Sequence, residues 1–310
     1  MPSGSRLWSP ERIGGDLVYW LQPTGCTGEY GSAVTRKAQN VWRDSSFNKY
    51  EMRGPDDQTI SIVQALEFQG GPGATAGTGT TFGTLNAKEY PTLSPCGNAS
   101  MGSFPDDAAP RIDPGTGAFT IIAVGRLDNG GDPAAPYSSA RLTIASDGQS
   151  SQASTFQFQL LPTSNSSNNP STLVLSVNCG SKTKTATLES KAGTAQIFDT
   201  SDFMASYERD DSANAELFFE AASVATDTGH NADLANTGPR NIFGIVTFVL
   251  SGNNIFSGDG AIDHKFAEII CFNKEDATTR ILCEGYLAHK YGRQDKLPAT
   301  HKYRYGPPRV

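Results

Sequence analysis

Phe266-Ala267-Glu268-Ile269-Ile270-Cys271-Phe272-Asn273, and after it Arg280-Ile281-Leu282-Cys283-Glu284-Gly285-Tyr286-Leu287-Ala288-His289-Lys290-Tyr291-Gly292, hold the two periodicities that set the architecture. The first block is short and rich in aromatic and branched residues, which reads as a strand. The second is helical. Asn273 can cap it, Asp276 lies three residues on where the positive helix end favours a carboxylate, and Gly292 can end it. Between these signals Ile281, Leu282, Gly285, Ala288 and Tyr291 recur at the spacing of one helix face, a stripe able to lie on a sheet. No other stretch carries a helical stripe of this strength, so one principal helix is expected near 276–290, covering one sheet.

Elsewhere the pattern is strand. Leu17-Val18-Tyr19-Trp20-Leu21 is an apolar run between Gly14-Gly15 and Pro23, and Ala65-Leu66-Glu67-Phe68 is a second, stopped by Gly70-Gly71-Pro72. Phe119-Thr120-Ile121-Ile122-Ala123-Val124 is apolar on both faces, as in the middle of a sandwich. Phe156-Gln157-Phe158-Gln159-Leu160 alternates, with aromatics expected inward and glutamines toward water. Leu173, Leu175 and Val177 restart that period, with partner strands expected at 215–222 and 242–250. The 32 Gly and 18 Pro residues, against 18% charged residues, suit many short strands joined by turns. The reading is an all-β, two-sheet antiparallel sandwich forming a single domain over 1–310. It would carry a long loop insertion at about 70–117, a second polar loop region at 148–172, and an extended C-terminal tail at 297–310.

The 310 residues carry 25 Lys and Arg against 32 Asp and Glu, a formal charge of −7. That balance argues against nonspecific nucleic-acid binding, which needs a basic excess to displace counterions. The longest apolar-rich window, 242–250, is about half of what crosses a bilayer, so no membrane insertion is expected. Residues 1–8 lack the apolar run of a signal peptide, which implies synthesis and folding in a cytosol. Cys26, Cys96, Cys179, Cys271 and Cys283 form an odd set without CxxC spacing, so free, buried thiols are expected and neither a disulfide framework nor zinc. The sequons at Asn98 and Asn165 carry no weight without secretion.

The C-terminal blocks, continued by Leu297-Pro298 and His301-Lys302-Tyr303, resemble the end of a concanavalin A-like (laminin G-like) jelly-roll domain: a strand "aEiiiyn", a helix "iegYLa.KWG", then "LP..HPY". Leu7-Trp8-Ser9-Pro10, the 17–21 run and Val41-Trp42-Arg43-Asp44-Ser45-Ser46 resemble its N-terminal segments "lW.P", "l..WLda" and "v..W.D.S". The resemblance spans about residues 7–305. It departs at Gln22 in place of Asp, Tyr291 in place of Trp, and Lys302 in place of Pro. It implies a jelly roll of the kind found in structural proteins of tailed-phage virions, such as tail or head fibres, knobs and capsid decorations. The implied function is non-enzymatic: a homo-oligomer made in the host cytoplasm, located in the virion among other virion proteins, displaying a lectin-like domain for contact with host-surface glycans. The alternatives are a carbohydrate-binding or adhesion module of a bacterial surface protein and, third, a glycoside hydrolase.

Catalytic constellations are sparse. Retaining glucanases resembling this fold place alternate carboxylates on one strand face; here Asp263 and Glu268 are five apart and would face opposite sides. Gly77 to Gly83 lacks the Lys-Ser/Thr ending of a phosphate loop, and His230, His264, His289 and His301 show no metal spacing. No catalytic, metal or cofactor residue is assigned. Asp106-Asp107, Asp210-Asp211 and the Asp227/Asp233 pair are the weak calcium candidates, since calcium needs six to eight converging oxygens. Tyr30, Tyr90, Tyr137 and Tyr207 could stack on sugars or seal subunit contacts. In the tail, Lys302, Tyr303, Arg304, Tyr305 and Arg309 have the composition of a docking segment, stiffened by Pro307-Pro308, and residues 1–7 and 298–310 are expected to lie together.

Overall fold

Every residue from Phe119 to Val124 is fully buried, because this strand has a packed layer on each side. The computed structural model describes residues 6–27, 41–49, 51–53, 67–69, 92–94, 101–103, 116–127, 142–146, 156–164, 170–190, 201–233, 242–245 and 265–310. In chain order the strands are β1 (Leu17–Thr27), β2 (Val41–Asp44), β3 (Glu51–Arg53), β4 (Glu67–Gln69), β5 (Thr92–Ser94), β6 (Met101–Ser103), β7 (Phe119–Leu127) and β8 (Leu142–Ser146). They continue with β9 (Phe156–Ser164), β10 (Pro170–Cys179), β11 (Lys182–Ser190), β12 (Ser201–Arg209), β13 (Asn214–Phe219), β14 (Ala222–Thr228), β15 (Ile242–Ile245) and β16 (Lys265–Phe272). One α-helix, α1 (Ala277–Lys290), follows the last strand, as the sequence pattern requires.

All strand pairs among the described residues are antiparallel. The ladder runs β11-β10-β9-β8-β15-β6-β3-β2-β1-β16-β7-β12-β13-β14 and turns back on itself, so its two halves face each other as the two sheets of an open jelly-roll sandwich. Ile144, Phe156, Phe158, Leu160, Leu173, Leu175 and Val177 from one half interdigitate with Tyr19, Phe119, Ile121, Ala123, Phe203, Tyr207, Leu217 and Ile269 from the other. A second core lies on the outer face of the second sheet. There Trp20, Ile122, Val124, Met204, Ile270 and Phe272 meet Cys283, Leu287, Ala288 and Tyr291 of α1. The period of two thus explains the double-sided strands: in β7 the odd positions enter the first core and Ile122 and Val124 the second.

Several expectations are corrected. Asp276, not Asn273, caps α1: its Oδ1 accepts from the Thr278 N–H at 2.9 Å, so the helix starts one turn later. Gly292, at φ +68°, ends it as expected, with the Arg293 N–H reaching back to the Ala288 carbonyl at 2.7 Å. The stripe is rotated, because Ile281 and Leu282 are only half-buried while Arg280, Cys283, Glu284 and Leu287 face the sheet. Gln159 is 1% exposed rather than turned to water, beside its equally buried ladder partner Ser176. β10 pairs with β9 and β11, not with 215–222 or 242–250; those segments supply β13, which pairs β12 and β14, and β15, which pairs β6 and β8. Within 70–117, β5 and β6 join the ladder and 116–117 lead into β7, while 70–91, 95–100 and 104–115 lie outside the described residues. So do 148–155 and 165–169 of the second loop region, residues 65–66 before β4 and 246–250 after β15.

The tail is not a free extended run. It turns back over α1, and Leu7 pairs with Arg309 in an antiparallel bridge, so residues 6–8 and 308–310 lie together as expected, while residues 1–5 lie outside the described residues. Gly285 is the contact point: a Cβ built there would stand 2.6 Å from Tyr303 Cβ and 2.7 Å from its Cδ2. Glycine is required for this approach of ring to helix. Gly285→Ala should therefore destabilise the fold by about 1–3 kcal/mol, read as a lowered urea midpoint, despite the better helix propensity of alanine.

Candidate functional site

Charged side chains lie buried in three clusters along the seam between α1 and its sheet. Glu268, fully buried on β16, faces the helix because it shares the parity of Ile270 and Phe272. Its Oε1 accepts from Trp20 Nε1 at 2.5 Å, and its Oε2 accepts from Lys290 Nζ at 2.6 Å and the Tyr291 hydroxyl at 2.7 Å. Lys290 also donates to Gln22 Oε1 and the Tyr286 hydroxyl. Two of the three departures from the motif pattern fit here: Gln22 accepts from Lys290 and donates to Ser45, and Tyr291 supplies a hydroxyl. Asp44 and Ser46 of the "W.D.S" segment have a comparable duty. Asp44 Oδ1 accepts from the backbone N–H of Trp20 at 2.6 Å and that of Ser46 at 2.8 Å.

The second cluster lies at the start of α1. Arg280 donates to Glu208 Oε2 at 2.9 Å and to both oxygens of Glu284 at 2.9 and 3.0 Å, with its guanidinium 3.6 Å from the Phe218 ring centroid. Ser206 donates to Glu284, and His301 Nε2 stands 3.6 Å from Glu284 Oε2. In the third, Arg293 bonds Glu220, which also accepts from the Met204 N–H at 3.0 Å. Burial pushes the carboxyls of Glu208 and Glu220 above their ordinary range, and the arginines offset this only in part. These groups are engaged in holding the helix.

A fourth polar group lies inside the sandwich. Tyr207 and His230 are buried with the Tyr207 hydroxyl 3.2 Å from Nδ1, while Nε2 stands 3.3 Å from Asp227 Oδ2. Arg209, also buried, donates to the carbonyls of Gly117, His230 and Ala232 and lies over the Phe119 ring. Tyr207 therefore serves the core, not a sugar platform, and burial raises its hydroxyl pKa well above the ordinary value. Cys179, Cys271 and Cys283 are free and buried; desolvation pushes the Cys271 and Cys283 thiols upward, which leaves them inert.

Among the described residues, two sheet-borne surfaces are open to a ligand. On the outer face of β9–β11, Gln157, Asn178 and Thr183 stand in a row across the strands, with Thr183 Oγ1 donating to Asn178 Oδ1 at 2.7 Å. The exposed Thr185 and Thr187 of β11 continue this neutral hydroxyl surface, while Ser176 and Gln159 beside them are buried. The other is an acidic cleft of about 480 Å³ beside the start of α1, lined by Glu208, Asp210, Asn214, Glu216, Asp227 and Glu275 among others. Asp210 in it is occupied by its own turn, accepting from the N–H groups of Ser212 and Asn214, and Asp211 accepts from the Ala118 N–H. Asp233 is exposed, and among the described residues no three His, Cys, Asp or Glu side chains are grouped to hold a metal.

The tail residues divide. Tyr303 and Arg304 are half-buried, the former packed on Gly285, whereas Lys302, Tyr305 and Arg309 are exposed. His289 contacts the Tyr303 carbonyl at 2.7 Å. Asp263, His264, Asp106, Asp107, Tyr30, Tyr90, Tyr137, Cys96, Asn98, Asn165 and residues 77–83 lie outside the described residues. The neutral row was missed in the sequence because amides and hydroxyls have no diagnostic spacing; alternation in 156–160 was its only signal.

No family model matches the chain, and no curated protein matches it in sequence. Solved structures do. A botulinum neurotoxin type C structure aligns over 90% of this chain and 53% of its own, at 12% identity and a TM-score of 0.50. The binding domain of botulinum neurotoxin serotype C1 aligns over 88% and 52%, again at 12% identity and 0.50. The chain therefore spans about half the length of the structures it matches, and the likeness is one of fold.

Two outcomes follow from the buried groups. Glu268→Ala strips three donors of their acceptor and should cost about 3 kcal/mol, the low end for a broken buried pair because Lys290 keeps 19% of its side chain exposed. Urea unfolding reads this directly. For His230, desolvation first and Arg209 with Lys182 beyond it hold the pKa below 6.5, against an upward pull from Asp227. The unfolded imidazole protonates near 6.5 and the folded one only lower, so stability is full above that pH and falls as pH drops below it. Melting temperatures from about pH 7.5 to 5 should fall in the wild type and stay flatter in His230→Gln.

Proposed function

We propose that this chain is a non-enzymatic structural protein of a tailed-phage virion, a fibre, knob or capsid decoration, whose sandwich contacts glycans on the host surface. One observation carries the contact: the neutral row of Gln157, Asn178 and Thr183 on an outer sheet face. Sugars offer hydroxyls that both donate and accept, and amide and hydroxyl side chains match both roles without the desolvation cost of a charge. A rigid sheet also presents these groups in fixed register, so little freedom is lost on binding. Cell entry of the type C neurotoxin, about half of whose structure is like this one in fold, depends on interaction with two ganglioside molecules, which is in keeping with glycan contact. Placement in the virion rests on the motif resemblance at both ends of the chain.

Hydrolysis is not favoured. Glu268, the carboxylate nearest to a glucanase pattern, is sealed beneath α1 with both oxygens occupied. Binding of the purified chain to arrayed bacterial surface polysaccharides tests the proposal. Asn178→Ala with Thr183→Ala should weaken binding roughly tenfold, the scale of one or two hydrogen bonds, without release of reducing sugar. Binding that ignores both substitutions would remove this face from the proposal.

A further inference from the structure

Where residues 6–8 meet 308–310, basic and apolar side chains lie exposed together. The Trp8 N–H donates to the Pro308 carbonyl at 3.0 Å and the Val310 N–H to the Arg6 carbonyl at 2.9 Å, on either side of the Leu7–Arg309 bridge. Leu7, Tyr305 and Val310 are 61, 87 and 51% exposed, three of the five large apolar side chains exposed among the described residues. Arg6, Lys302 and Arg309 are exposed in the same segments, and residues 297–310 contain no Asp or Glu. Arg304 lies 5.9 Å from the Tyr305 ring and Lys302 5.3 Å from that of Tyr303. Exposed tyrosine and aliphatic groups ringed by arginine have the composition of a protein interface rather than of an ordinary solvated surface. The Tyr303–Gly285 contact and Pro307-Pro308 hold the segment in place, so docking would order little that is not already ordered.

The complementary surface is on the same chain. The acidic cleft is lined by Asp210, Glu216, Asp227 and Glu275 beside Glu208, whose carboxylate Arg280 already holds; no basic side chain lines it, and its volume of about 480 Å³ admits projecting side chains. We propose that the terminal patch of one copy docks into the acidic cleft of a second copy. This names the assembly contact of the displayed, multi-copy domain proposed above and rests on that reading. Patch and cleft are different surfaces, so copies can pair reciprocally across a two-fold axis, close into a larger ring or extend as a row. Attraction between opposite charges on exposed side chains makes it salt-sensitive.

Sedimentation velocity of the full chain in low and high salt tests it. The wild type should associate in low salt and dissociate in high salt. Lys302→Glu with Arg309→Glu should weaken association at least about tenfold, as should Glu216→Lys with Glu275→Lys, and the combined chain should regain it. Circular dichroism melts establish that each variant is folded; if a reversal unfolds the chain, Tyr305→Ala at an exposed position replaces it and should weaken association likewise. A wild type that stays monomeric in low salt, or a combined chain that does not recover, overturns the contact. Polysaccharide binding measured on the same samples separates the two proposals: folded monomeric variants that still bind glycans leave the functional reading standing, and assembled chains that bind none remove it alone.

Discussion

A carboxylate fixed in an apolar seam is the constraint on which the rest depends. Glu268 is fully buried, so its charge is tolerable only if donors converge on it from several elements. They come from β1 through Trp20 and from α1 through Lys290 and Tyr291. The apolar contacts of Cys283, Leu287 and Ala288 with the sheet are non-directional and would permit a helix shifted by a residue or a turn. The carboxylate does not, because any such shift leaves both it and the Lys290 ammonium without partners. It sets the helix register more than it adds to net stability.

The same logic repeats along the seam. Arg280 answers Glu208 from the sheet and Glu284 from its own helix, and Arg293 answers Glu220 just past the helix end. With three such clasps around an apolar centre, α1 is a fixed plate on the outer face of the second sheet. The tail uses that plate, since Tyr303 reaches Gly285 only if the helix stands where the clasps hold it. Order thus passes from one buried carboxylate to the helix, then to the tail, then to the surface where residues 6–8 meet 308–310.

How much of this was legible in the sequence follows from the same chemistry. The strand 266–272, the helix, Gly292 as its stop and the double-sided strand at 119–124 were readable because each carries a period or a stop signal. The rotated stripe was not. Arg280 and Glu284 look like solvated charges unless Glu208, some seventy residues away, is known to lie opposite. β11 and β14 escaped for a related reason: Lys182–Ser190 alternates Lys and Thr with little that is apolar, and Ala222–Thr228 is a polar edge, so neither stands out from a loop. Asn273 and Asp276 are both competent caps, and only geometry chooses between them. Gln159 was assigned to water by parity alone, and parity cannot report that this outer face is covered at Ser176.

The segments that carry the motif resemblance therefore supply the residues that hold helix, sheet and tail together. Trp20, Asp44, Ser46, Glu268, Gly285, Lys290 and Tyr291 all lie in the motif segments, and each has a partner or a steric duty in locking helix, strand or tail. A motif built from such residues reports that a helix must be clasped to a sheet and is silent about what the sheet's other face touches. The amides and hydroxyls of β9–β11 can be exchanged without touching a clasp, since Gln157, Asn178 and Thr183 bond one another and no clasp residue. Partner chemistry therefore has to be read from the surface, where neutral hydrogen-bonding groups on one face and opposite charges at the terminal patch and the acidic cleft are the features the clasps leave unexplained.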